Sequence, residues 1–98
     1  MVKHMIIWKM KDSVENKAAK AEEIKTALEG LVGKIDGLIS MHIITDKIDS
    51  SSGDIMMDSE FTDNDALVGY QHNPLHVEIA GDIVCPAVEQ RLSFDYEV

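Results

Sequence analysis

The sequence predicts a small α+β domain of βαββαβ order, and three observations carry that prediction. The apolar residues change period along the chain, from alternation by two to spacings of three and four and back again. The first two strand-like segments are apolar on both faces, as strands of a sheet covered on both sides are. With 98 residues there is room for a single domain over 1–98 and one core.

Residues 2–10 alternate as a strand, with Val2, His4, Ile6, Trp8 and Met10 on one face and Lys3, Met5, Ile7 and Lys9 on the other. Ala21, Ile24, Leu28 and Leu31 then form one helical stripe, opposite a charged face that includes Lys17, Lys20, Glu22 and Glu29. Gly33 is placed to stop that helix, and Asp36-Gly37 to turn into the next strand. In the second strand, 38–45, Leu38, His42 and Ile44 oppose Ile39, Met41 and Ile43. The stretch 46–53 is a solvated hairpin connection rich in turn formers. The third strand, 55–61, sets Ile55, Met57, Ser59 and Phe61 against Met56, Asp58 and Glu60.

Thr62 to Asp65 has the Thr-x-x-acid pattern of a helix start. The second helical region is broken, because Pro74 has no amide hydrogen and forces Asn73 out of helical geometry. A short helix to about Tyr70 is therefore followed by another from Pro74, capped by Asn73 and running to about Val84 before Pro86. In the final strand, 89–98, Leu92, Phe94, Tyr96 and Val98 alternate with Arg91, Ser93, Asp95 and Glu97.

Two right-handed βαβ crossovers joined by a hairpin give a ferredoxin-like fold, a four-stranded antiparallel sheet with both helices on one face. Met5, Ile7 and one apolar set of the second strand are then left on the uncovered face. Packing two such sheets together hides that surface, so a homodimer, a dimeric α/β barrel, is expected.

A formal charge of −9 disfavours nucleic acid and anionic membranes as partners. The longest apolar runs are too short to cross a bilayer. No secretory leader pattern opens the sequence, and a cytoplasmic location is expected. Cys85, the single cysteine, is expected as a buried small hydrophobe. No phosphate loop, dinucleotide fingerprint or nucleophile elbow is present, and no cofactor is expected.

The candidate chemistry lies between sheet and helices. His76 shares its helix face with Ile79 and Ile83 and so points inward, at the third helical position, where the helix dipole favours neutral imidazole. A neutral histidine there can accept a substrate proton. His4 lies on the strand face shared with Ile6 and Trp8, and Tyr70 can bring a hydroxyl to the same pocket, whose expected walls are Ile6, Trp8, Ile79 and Ile83. His72 and His76 have the spacing of a helical metal pair, but the break at Asn73-Pro74 separates their faces, and no metal site is expected. Asp58, Glu60 and Asp95 are expected to meet Arg91 or Lys9 across strands, and His42 is structural.

Val2-Lys3-His4, Ser59-Glu60-Phe61, the stretch Tyr70-x-x-x-Pro74-x-His76 and the closing Phe94 to Val98 together resemble the stress-responsive dimeric α/β barrel (Dabb) family over essentially the whole chain. The resemblance implies a ferredoxin-like fold dimerised through its sheets. In the plant polyketide cyclase branch of that family two histidines and a tyrosine transfer protons in a pocket between sheet and helices, which implies roles for His4, His76 and Tyr70. Family members commonly carry a histidine where this chain has Asn73.

The functional expectation is a homodimeric domain of unassigned activity that binds a small apolar or phenolic ligand. The alternatives are a cyclase or lyase using His76 as general base with His4 and Tyr70, and a monooxygenase-like activity without a cofactor.

Overall fold

Alternation over the first residues produces strand β1, Val2–Met10, in a computed structural model that describes all residues, Met1–Val98. Val2, His4, Ile6, Trp8 and Met10 are buried beneath the helices, while Ile7 and Lys9 are exposed on the opposite face. Helix α1, Lys17–Glu29, begins at Asn16, whose side chain accepts the Ala19 N–H at 3.0 Å. Ala21, Ile24 and Leu28 are buried, and so is Leu31 just beyond the helix end. The helix stops at Gly30, earlier than Gly33, which instead holds a left-handed turn conformation at φ +90°.

Strand β2, Leu38–Ile44, departs from simple alternation. A register shift between Leu38 and Ser40 inserts Ile39 as an extra residue, so Leu38 joins Met41 and Ile43 on the buried face. His42 and Ile44 are thereby exposed. The open edge of β2 is protected by α1, where Glu29 accepts the Ile43 N–H at 2.8 Å and Lys25 donates to the Ile43 carbonyl at 2.9 Å. The hairpin connection is fixed at its end by Asp54, which accepts the Met10 N–H at 2.7 Å and pairs with Lys47 at 2.6 Å.

Strand β3, Ile55–Phe61, buries Ile55, Met57, Ser59 and Phe61 as its alternation requires. Helix α2, Asn64–His72, is capped by Asp63, one residue later than the Thr62 pattern suggests, through the Ala66 N–H at 2.8 Å. Helix α3, Pro74–Ile79, restarts at Asn73, whose side chain accepts the Leu75 N–H at 2.9 Å. It does not continue as a regular helix to Val84. A π-helical stretch, Ala80–Val84, and a 3-10 turn, Cys85–Ala87, lead into strand β4, Val88–Glu97.

The strands form one antiparallel sheet in the order β2-β3-β1-β4, with the helices on one face, which is the ferredoxin-like arrangement. The β1–β4 register sets Leu92 opposite Ile7, Phe94 opposite Met5 and Tyr96 opposite Lys3, so the apolar set of β4 lies on the uncovered face. Arg91, Ser93 and Asp95 stand opposite Trp8, Ile6 and His4, on the helix side. No helix is long and apolar enough to cross a membrane.

Candidate functional site

His4 is buried in the middle of the sheet, and its carbonyl accepts the Ser59 hydroxyl at 2.6 Å. Its Nδ1 meets the carboxylate of Asp95 on β4. A carboxylate can only accept, so Nδ1 carries the proton of this bond and, in the neutral ring, the lone pair lies on Nε2. Asp95 was expected to reach Arg91 or Lys9. The β1–β4 register instead delivers it to His4, while Lys3 takes Asp58.

Above His4 the rings of Phe61 and Tyr70 approach edge-on, with centroids at 6.3 and 6.5 Å. Tyr70 is fully buried near the end of α2. At Asn73 the backbone turns extended, with ψ 130°, and Pro74 restarts the helix in a new direction. That reversal brings His76 back over Tyr70, with ring centroids 4.1 Å apart and planes inclined at 35°. The aromatic column thus runs from the sheet through Tyr70 to His76.

Beside the column lies a cavity of about 290 Å³, near the lower end of the range for small-molecule sites. Ile6, Trp8 and Met57 form its floor, and Leu28, Tyr70 and His76 one wall. Ala80, Val84, Cys85 and the first residues of β4, Val88 to Arg91, complete it. His4 does not line the cavity and lies next to its wall residue Tyr70. Ile79 and Ile83, expected as walls, pack against the core elsewhere. The π-helical stretch widens the helical turn, so Ala80 and Val84 follow His76 along the cavity instead. Cys85, expected to be buried, is an exposed free thiol at the cavity wall.

Burial pushes the His76 pKa below its ordinary value of 6.5; a hydrogen bond with the Gln71 backbone opposes this, while His4 and Arg91 add smaller contributions in the direction of burial. Its buried Nδ1 has no hydrogen-bond partner in the protein. Burial also raises the Tyr70 pKa far above 10.0, against a smaller opposing effect of Arg91. At neutral pH the cavity wall therefore holds an uncharged imidazole beside a protonated phenol. The first can take a proton and the second can donate a hydrogen bond.

Sequence reasoning missed Asp95 and Arg91 as residues of this region. The alternation of β4 contained a signal, because once Leu92, Phe94 and Tyr96 face outward, Arg91 and Asp95 must face the helices. His72 is exposed at the end of α2 and His42 is exposed on β2.

A family model described as the stress responsive A/B barrel domain matches residues 2–98. Among solved structures, a dimeric Bacteroides fragilis protein of unknown function with a ferredoxin-like fold is 31% identical, with a TM-score of 0.89 over 99% of this chain and 95% of that one. An Arabidopsis thaliana protein is 27% identical, with a TM-score of 0.82 over 100% and 95% of the two chains. The hydroxynitrile lyase of Passiflora edulis shares the fold at 17% identity, with a TM-score of 0.81 over 99% and 92%. A search of curated proteins finds no match.

Proposed function

The chain belongs to the stress responsive A/B barrel domain family, and from that premise we propose that it is a homodimeric small-molecule-binding protein whose ligand occupies the cavity beside Tyr70 and His76. The observation that carries the ligand reading is the cavity of about 290 Å³ that has Tyr70 and His76 together in its wall. The apolar floor of Ile6, Trp8 and Met57 suits a small carbonyl or phenolic compound.

The dimer rests on the other face of the sheet. Leu92 and Phe94 are 63% and 69% exposed and stand beside Ile7 and Met5, a patch that a lone domain leaves in water. Two such faces packed together bury about 800 Å² per partner in an interface of ordinary size. Light scattering is expected to give a dimer for the wild type and a monomer for Leu92→Asp/Phe94→Asp.

Thermal-shift screening of small carbonyl and phenolic compounds tests the pocket. Compounds that stabilise the wild type are expected to stabilise His76→Ala much less, and equal stabilisation of both proteins would remove His76 from the site.

A second reading, acid–base catalysis of the cyclase or lyase kind, is favoured by one pairing. A neutral imidazole is stacked on a phenol that keeps its proton. In that reading His76 removes a proton α to a carbonyl, Tyr70 donates a hydrogen bond to the carbonyl oxygen, and His4, oriented by Asp95, positions Tyr70. Exchange of the α-protons of a 1,3-diketone in D₂O, followed by NMR, is expected with the wild type and lost in His76→Ala.

A further inference from the structure

Arg91 is the only arginine of the chain, and the structure gives it no counter-ion. Every ion pair uses a lysine or His4. The carboxylates on its own face of β4 are engaged elsewhere, Glu89 with Lys9 at 3.6 Å and Asp95 with His4. A chain with 18 acidic and nine basic residues offers an arginine many partners. Here the strand register places Arg91, an exposed residue, opposite Trp8 and at the wall of the cavity.

The surroundings define what this guanidinium can recognise. Its charge is felt by both polar groups of the aromatic column, since it favours the ionised form of Tyr70 and disfavours protonated His76. The floor next to it is apolar, and the volume admits a compact molecule. A planar guanidinium binds carboxylates through two parallel N–H donors, a geometry that an ammonium does not offer.

We propose that Arg91 is the anion-binding residue of this cavity and that the ligand is a small carboxylic acid with an apolar ring or chain. The carboxylate sits at Arg91 and the apolar body lies on Ile6, Trp8 and Met57. The proposal rests on the small-molecule pocket described above and adds the charge of the occupant.

Trp8, the only tryptophan, lines the cavity and reports on its occupation. The full chain is titrated with benzoate and phenylacetate and with their uncharged counterparts benzamide and phenylacetamide, followed by Trp8 fluorescence and by the NMR signal of its indole N–H. The acids are expected to bind at least about tenfold more tightly than the matched amides, a difference of about 1.4 kcal/mol. Arg91→Gln is expected to reduce the acids to the level of the amides and to leave the amides unchanged, which also shows that the variant's pocket is intact. Arg91→Lys keeps part of the preference. Equal binding of acids and amides, or a preference that survives Arg91→Gln, overturns the role of Arg91 and leaves the pocket standing. If none of the four compounds shifts the Trp8 signals at millimolar concentration, both the anion site and the pocket fall.

Discussion

The two halves of the helical layer are built on different principles. Beside β2, α1 is one unbroken helix of 13 residues that buries Ala21, Ile24 and Leu28 and ties its own side chains to the strand edge. In the other half the chain is divided into α2, α3, a π-helical stretch and a 3-10 turn, and α3 has no fully buried residue. The regular half gives the cavity wall one residue, Leu28. The broken half leaves a cavity, and the break at Asn73-Pro74 is also what stacks His76 on Tyr70. Irregular backbone is here the means by which polar side chains reach an otherwise apolar interior.

If the regular half is purely structural, the largest effect on stability belongs there. Ile24→Ala, at a site with no exposed surface, is expected to cost about 2–5 kcal/mol in chemical denaturation. Capping tests the comparison at smaller scale. Asn16→Ala is expected to lower global stability by about 1 kcal/mol, whereas Asn73→Ala should speed hydrogen exchange in α3 more than it changes the global midpoint. His76→Ala is expected to stay within about 1 kcal/mol of wild type, because it removes a buried atom that has no partner. It should nevertheless much reduce stabilisation by ligands.

The smallest effect is a pH dependence. The folded pKa of His76 lies below 6.5, so as the pH falls the unfolded chain takes up this proton first. The stability that His76 contributes is therefore complete above pH 6.5 and is lost as the pH falls through the lowered folded value. Denaturation midpoints measured across that window should decline in the wild type and lose this component in His76→Ala. Glu29 and Asp54 act separately and at lower pH. Burial alone would raise both, but the Ile43 amide and Lys25 hold Glu29 below 4.5, and Lys47 and the Met10 amide hold Asp54 below 3.8.

Local pattern was legible where it depends on neighbours along the chain. The alternation of β1, the stripe of α1 and the restart at Pro74 all follow from short-range chemistry. The faces of β2 were not legible, because one extra residue at Ile39 changes which side chains turn inward and no local signal marks it. The pairing of His4 with Asp95 joins residues at opposite ends of the sequence, and only the β1–β4 register brings them together. The displacement of Ile79 and Ile83 from the cavity comes from a π-helical stretch that helical spacing does not reveal. The inward faces of His76 and Tyr70 were legible in the sequence, while the place of Arg91 at the cavity and the partner of His4 were set by tertiary pairing.

The central claim, that the broken half of the layer holds a ligand site built on neutral His76, is tested most directly by following the histidine ring signals by NMR with and without a bound carbonyl, phenolic or carboxylic compound. The account predicts a His76 pKa below 6.5 in the free protein and ligand-induced shifts at His76 that the exposed His42 and His72 do not share. A His76 that titrates at or above 6.5 and is unmoved by any ligand that stabilises the protein would contradict it.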